Sequence, residues 1–366
     1  AKNGPEFVAN LRELGLDPRI LSGEEEAILS AHGVAGAFPK AKGLVADLGG
    51  GSLELADLSA DEVSDPVSLE LGTLRLPDYR VKADGSPDVM RSAIEAVLKK
   101  RAGKRPKDAP LYLVGGTWRA MAVFAMQEEG HPLSDPHGFV LSAKRAKAIS
   151  RALADQTAEE LKARQRISTM RSEKLPDAAI LFQALIATLE PSKVVFSSWG
   201  LREGLLYDSL APDGRAQDPL LAGVSVIASQ RGAPPTLATR VASWTLDAAP
   251  SGEHGSERLR LAATMLSLAS MQIEPNIRLP QAINWALQKR WIAIDGKQRA
   301  MLAAAISANG NAHELDERVR TLARYEPAAR RVRRACLKVG DLPRLPRNRT
   351  GRKGYEAARR KAWRQP

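Results

Sequence analysis

The sequence predicts an α/β fold, a mixed sheet with helices, followed by a segment that is helical throughout. Three observations predict it. Short apolar runs bounded by turn residues recur at 43–48, 53–58, 110–114 and 193–197, the signature of buried strands. After an initial group of strands, these runs alternate with helical-period segments, the pattern of a layered α/β sheet. From about residue 218 to residue 338 only helical patterns remain.

Taken in order, residues 6–15 (F-V-A-N-L-R-E-L-G-L) form an amphipathic helix that stops at Gly15. Pro18 to Leu21 reads as a short strand. Ser22-Gly23-Glu24-Glu25 is a capping box: the Ser22 hydroxyl accepts the amide of residue 25, and Glu25 reaches back. Its helix continues through A-I-L-S-A-H-G-V-A-G. Strands are expected at 43–48, 53–58 and 66–75, then a helix at 87–101 and a strand at 110–114. Gly115-Gly116-Thr117 opens the next helix. Helices at 142–154, 157–165 and 176–189, a strand at 193–197 and a helix at 201–210 complete the unit. The turn-rich A-P-D-G-R-A-Q at 211–217 marks a boundary. No repeat of fixed period is present.

Composition narrows the class. With 44% hydrophobic and 26% charged residues, most of the 366-residue chain is expected to fold as a soluble globule. No run of eighteen apolar residues occurs, so no membrane span is expected. A-K-N-G-P-E-F carries no signal-peptide pattern. A single cysteine, Cys336, excludes an internal disulfide and a cysteine zinc site; with these features the expected location is the cytoplasm. The net charge of +12 is carried entirely by residues 330–366, which hold 14 Lys and Arg against Asp341 and Glu356. The preceding body is neutral. The tail reads as a solvated, disordered segment, as an arm that attracts polyanions, or as a stretch that is not native coding sequence.

Chemistry concentrates in G-L-V-A-D-L-G-G-G-S-L-E-L-A-D-L, residues 43–58. A plain hairpin turn needs two special residues. Three glycines cost backbone entropy without packing anything. Bare amides in such a turn make an anion-binding nest, and Gly49, Gly50 and Gly51 let a phosphate oxygen approach without a Cβ in the way. Asp47 at the strand end suits a hydrated Mg²⁺, which takes one or two carboxylates plus phosphate oxygens. Glu54 lies two residues past Ser52. The acidic helix start at Glu24, Glu25 and Glu26 and the second glycine turn, Gly115-Gly116-Thr117 at a helix N-terminus, complete the set. Each taken singly has a bland reading: a loop, a dipole-favoured cap, a strand-to-helix turn.

In this order the motifs are specific. S-G-E-E-E-A (22–27), D-L-G-G-G-S-L-E-L (47–55), L-E-L-G-T-L-R-L (69–76), L-V-G-G-T (113–117) and W-G-L-R-E-G-L-L-Y (199–207) resemble the exopolyphosphatase / guanosine pentaphosphate phosphatase family, over residues 1 to about 210. The resemblance implies an actin-like (ribonuclease-H-like) fold of two α/β lobes with the active site between them. It implies Mg²⁺-dependent release of terminal phosphate from inorganic polyphosphate or from pppGpp, and a homodimer. Residue by residue, it implies that Glu26 orients or deprotonates the attacking water and that Asp47 and Glu54 bind the metal. Gly49, Gly50, Gly51 and Ser52 would cradle the terminal phosphates, with Gly115, Gly116 and Thr117 beside the phosphate chain. Arg202 and Glu203 match the family's L-R-E-G helix, where a structural ion pair is expected. The capping box separates the glutamates: Glu25 closes its own helix, whereas Glu26 lies about 100° further round and is free to face a cleft.

Two departures from the family pattern follow. The family's first phosphate clamp, D-x-G-S-N-S, has no counterpart, so residues 1–35 are expected to be a remnant of the first lobe and 36–210 the second lobe. Residues 218–338 would be an all-helical, HD-like domain. There A-A-T-M-L-S-L-A (262–269) stands where A-x-L-L-H-D-I-G is expected, so Leu266-Ser267 replaces the His-Asp pair that HD metal chemistry needs. His254 and His313 read as surface histidines, and Trp244, Trp285 and Trp291 as core. This part is expected to be a structural or polyphosphate-channelling unit, with 339–366 as the basic tail. Three other functions compete: phosphate or nucleotide binding without turnover, because the first clamp is missing; an actin-like kinase or ATPase, disfavoured by S-G-E-E-E-A; and nucleic-acid binding, for which no recognition motif is present.

Overall fold

The computed structural model describes residues 3–244, 255–310, 312 and 314–325. Helices α1 (Gly4–Glu13) and α2 (Gly23–Ala37) lead into an antiparallel meander of β1 (Lys42–Leu48), β2 (Leu53–Ser59) and β3 (Glu62–Leu69). Then follow α3 (Leu76–Lys82), α4 (Pro87–Arg101), β4 (Leu111–Val114), α5 (Gly116–Glu128) and β5 (Val140–Ser142). Helices α6 (Ala143–Ala154), α7 (Ala158–Ala163), α8 (Thr169–Ser172) and α9 (Leu175–Leu189) precede β6 (Lys193–Ser197) and α10 (Leu201–Asp208). The six strands lie in the order β3-β2-β1-β4-β6-β5, with β1, β4 and β6 parallel and the rest antiparallel. The C-terminal ends of the three parallel strands therefore share one edge, and in open α/β sheets ligands bind there.

Alternation along the strands sorts the side chains onto two faces. Leu44, Ala46, Leu48, Leu53 and Leu55 pack with α4, α5 and α9 in the larger core. Val45, Ala56 and Leu58 face α2, whose Ala27, Ala31, Val34 and Ala35 form the smaller core with Tyr112, Val114 and Val195. Alanines and glycines let α2 lie close. An ideal Cβ on Gly204 of α10 would fall 1.7 Å from the Leu29 carbonyl oxygen, and one on Gly33 would fall 2.3 Å from that of Gly200. Helices α2 and α10 thus cross at backbone contact.

Three expected elements come out differently, and α3, β5 and α8 were not expected at all. Pro18–Leu21 is irregular backbone and pairs with no strand. The strand expected at 66–75 ends at Leu69, because the amides of Gly72, Thr73 and Leu74 turn back to bond the Gly51, Gly49 and Gly50 carbonyls at 3.3, 3.0 and 2.8 Å. The helix expected at 157–165 stops at Ala163, and the short α8 follows before α9.

Beyond α11 (Pro212–Arg215) the chain is helical: α12 (Pro219–Gln230), α13 (Pro235–Trp244), α14 (Gly255–Ala269), α15 (Pro275–Gln288), α16 (Gly296–Asn309) and α17 (Glu317–Tyr325). Their apolar faces join the larger core through Leu220, Val224, Leu266 and Leu302. Polar ties also cross the seam. Arg290 and Arg299 both reach the Asp135 carboxylate, at 3.3 and 3.4 Å, and the Ala293 amide donates to the Ala37 carbonyl at 3.1 Å. Arg299 is 1% exposed, and it also donates to the Lys289 carbonyl at 2.5 Å. Removing one partner of such a buried pair typically costs about 3–5 kcal/mol, since the other charge is left uncompensated. Trp291 is buried and Trp285 partly so, as expected. His254, His313 and the tail lie outside the described residues, as does the Trp244 side chain.

Candidate active site

The site grows from the face of β1 and β2 that is turned toward α2. Strand parity puts Asp47 on the face of Val45, toward α2. The β1–β2 register sets Asp47 directly opposite Glu54, so the two carboxylates are cross-strand neighbours on one face. Glu54 in turn faces Ser68 on β3, whose hydroxyl donates to it at 2.9 Å. Helix α2 lies over this row and brings Glu26 to it. The capping box forms as read: the Glu25 amide donates to Ser22 Oγ at 3.1 Å, and the Ser22 amide donates to Glu25 at 2.8 Å. Glu25 also bonds Arg19. Glu26 is left facing the strands, half-buried.

Burial under the helix shifts all three carboxyls upward. Glu54, 3% exposed, is pushed to about 6 by burial, with the Ser52 and Ser68 hydroxyls opposing and the Asp47 and Glu26 charges adding. Burial raises Glu26 as well, and Asp47 adds to it. Burial also holds the Asp47 carboxyl up, against the Ser30 hydroxyl and the Arg119 charge, which favour the anion. Raised carboxyls clustered in a cleft mark a place built for a cation or for proton transfer.

The glycine loop is a four-residue hairpin connection, closed by the Gly49 amide donating to the Ser52 carbonyl at 3.0 Å. Its other carbonyls are held from behind by the Gly72–Leu74 turn. Its remaining amides, those of Gly50, Gly51 and Ser52, donate to nothing among the described residues. Gly72 makes this possible: a Cβ there would fall 2.3 Å from Gly51. Beside the loop, Gly115 at φ +118° turns β4 into α5, and a Cβ on it would meet the Leu48 carbonyl at 2.7 Å. Gly116 and Thr117 place their amides in the first turn of α5, the positive end of its dipole. All ten residues singled out in the sequence thus lie at one end of the sheet.

Several neighbours had no separate signal. Arg171 on α8 stacks its guanidinium over Gly116, 2.9 Å from where a Cβ would lie, and makes no hydrogen bond among the described residues. Arg119 donates to the Ser198 carbonyl at 3.1 Å, and burial together with the charges of Arg171, Arg290 and Arg202 depresses its pKa. Ser30, Ser68 and Gly200 were also missed. Counting one helical turn from Glu26 would have found Ser30, and alternation from Glu54 across the meander would have found Ser68. The long-range arginines left no local trace. The expected ion pair between Arg202 and Glu203 does not form among the described residues. Adjacent helical residues point about 100° apart, and Glu203 instead caps α10, accepting from the Gly200 amide at 3.0 Å.

Two hard carboxylates beside open amides suit a cation that keeps water and phosphate oxygens in its shell. Asp47 and Glu54, opposite each other across β1 and β2, supply two such carboxylates, and in kind they fit Mg²⁺. Among the described residues, no cluster of three or more His, Cys, Asp or Glu forms an all-protein metal cage, in this cleft or in the helical part. In the helical part, Leu266 is core and Ser267 accepts from Asn309 at 3.2 Å. No helix among the described residues is long and apolar enough to cross a membrane.

The chain is 30% identical over 244 residues to Retrograde regulation protein 2 of Saccharomyces cerevisiae, an alignment covering 60% of this chain and 42% of that protein. It therefore spans less than half the length of that relative. Among solved structures, the Aquifex aeolicus PPX-GPPA enzyme matches at 27% identity and a TM-score of 0.49, over 57% of this chain and 71% of the other. An exopolyphosphatase from Cytophaga hutchinsonii matches at 22% and 0.48, over 58% and 72%. The family model described as the Ppx/GppA phosphatase family matches residues 1–212, which hold every residue of the cleft. With its motifs, its actin-like α/β lobe and that match over more than half its length, the chain belongs to the Ppx/GppA phosphatase family.

Proposed function

We propose that this cleft hydrolyses the terminal phosphate of inorganic polyphosphate or of pppGpp, with Mg²⁺. One observation carries the reading: the glycine loop is tied down through its carbonyls, so the amides of Gly50, Gly51 and Ser52 are open beside the Asp47–Glu54 pair. Three fixed N–H donors next to two carboxylates suit a phosphoryl group that arrives with a cation, and suit a neutral ligand poorly.

Mg²⁺, when bound, would neutralise phosphate charge and favour attack at phosphorus. Asp47 Oδ1 and Glu54 would hold it. The chain's own residues do the rest. The loop amides and the first-turn amides of α5 bind the terminal phosphoryl oxygens and stabilise charge that spreads over them in the transition state. Arg171 has no hydrogen-bond or ion-pair partner among the described residues and is placed to neutralise the next phosphate. Glu26 orients the attacking water and takes its proton; burial and the Asp47 charge raise its pKa and make it a stronger base than a free carboxylate. The water attacks in line, opposite the leaving phosphate. The buried floor of Leu48, Leu53 and Leu69 keeps the donors rigid.

Phosphate release from long-chain polyphosphate and from pppGpp, each with Mg²⁺, tests this on wild type and Glu26→Ala. Loss of the base is expected to slow release by about 10²–10⁴-fold with substrate binding retained. Wild type that binds either substrate but releases phosphate from neither would make this a binding protein without turnover.

A further inference from the structure

A buried serine beneath the cleft has a role that the motifs do not assign. Ser30 sits on α2, one turn past Glu26 and on the same helix face. It is fully buried. A serine inside a helix ordinarily bonds the carbonyl one turn back or points to solvent. Ser30 does neither; its Oγ donates across to Asp47 Oδ2. The same oxygen lies beside Gly200, 3.7 Å from where a Cβ would be. Asp47 Oδ1 stands on the other side, 3.2 Å from the corresponding point at Gly115, toward the glycine turn. The two carboxylate oxygens therefore have different neighbours: Oδ2 accepts from Ser30, and Oδ1 lies at the Gly115 turn without a hydrogen bond among the described residues.

We infer that Ser30 is a positioning residue, which fixes the Asp47 carboxylate so that Oδ1 alone is offered to a divalent cation. The inference rests on the proposed metal role of Asp47. It also joins two functions on one helix, since α2 carries both the water-orienting Glu26 and the hydroxyl that sets Asp47. Without that hydroxyl the carboxylate is free to rotate about its terminal bond, a broad torsion, and a cation must pay the ordering that the hydrogen bond now supplies in advance.

The experiment is Mn²⁺ binding, read from the free-ion signal by electron paramagnetic resonance, on the full chain and three variants. Ser30→Ala is expected to bind Mn²⁺ about 10–100-fold more weakly, the usual effect of losing a hydrogen bond to a metal ligand. Ser30→Thr, which keeps the hydroxyl, is expected to restore most of the affinity. Asp47→Asn is expected to abolish it. Polyphosphate binding in EDTA reads the cleft without metal, and Ser30→Ala is expected to leave it unchanged. Mn²⁺ affinity in Ser30→Ala within two-fold of wild type, with Asp47→Asn defective, overturns the positioning role and leaves the metal site standing. Binding that Asp47→Asn does not alter overturns both. Equal loss of Mn²⁺ and metal-free polyphosphate binding means a collapsed cleft, and also overturns it. If the alanine variant does not fold, Ser30→Cys, similar in size and a weaker donor, carries the test, and wild-type Mn²⁺ affinity in it is the refuting result.

Discussion

Substituting Gly204 by alanine probes how the cleft is held. The residue makes no contact with any proposed ligand. Its Cβ would lie 1.7 Å from the Leu29 carbonyl oxygen and 2.8 Å from the Gly33 amide, and ordinary contact begins at 3.4 Å. Neither obstacle is a flexible side-chain end; both are helix backbone. Helices α2 and α10 must therefore part by up to about 1.7 Å. Overpacking of this kind costs about 1–3 kcal/mol, and alanine's better helix propensity returns at most about 1 kcal/mol. With the full return, a net loss of up to about 2 kcal/mol leaves the chain folded. The displacement is carried by α2 to Glu26 and Ser30, and a 1 Å misplacement costs on the order of 10²-fold in rate. Phosphate release is expected to fall about 100-fold while thermal melting drops by only a few degrees. Gly214→Ala is the control, because its Cβ would meet only Leu210 at an ordinary 3.6 Å. Gly204→Ala with activity within two-fold of wild type would refute the idea that this crossing positions the site.

Two further outcomes follow from the same geometry. A Cβ at Gly51 meets nothing within 4 Å, so Gly51→Ala is expected to melt like wild type yet bind polyphosphate at least ten-fold more weakly, as the methyl enters the space of a phosphate oxygen; isothermal titration decides it. His137 is buried with its Nδ1 accepting from the Ser198 amide at 3.1 Å, and burial pushes its pKa from 6.5 down to about 4. The unfolded chain then binds the proton first, so the stability this residue gives is complete above pH 6.5 and is lost as pH falls toward 4, by about 3 kcal/mol. Denaturant unfolding from pH 7 to 4 is expected to show a shallower decline in His137→Gln than in wild type, and parallel curves would contradict the assignment.

The helices with the strongest local signals formed where expected. The box Ser22–Glu25 fixed the start of α2, and the helix expected at 87–101 matches α4 residue for residue. Misreadings fell where a distant partner decided the backbone. Leu71–Arg75 continues the expected strand, but the amides of Gly72, Thr73 and Leu74 are claimed by the glycine loop, and a turn results. Glu203 and Arg202 suggest a pair on paper, yet the open amide at Gly200 competes more effectively for the carboxylate because it lies within one turn.

By itself the sequence determined which residues could meet a phosphate: glycines that leave amides bare, acids at strand ends, a helix whose first glutamates divide between capping and facing outward. These are local properties, set by spacing and by backbone conformation within a few residues. The tertiary structure decided what those residues stand against. Only folding puts Gly72 behind the loop, Arg171 over Gly116, Ser30 on Asp47 and Gly204 against Leu29. These contacts join residues far apart in the chain. Their energies depend on burial and on packing to within tenths of an ångström, and no periodicity in the sequence encodes either.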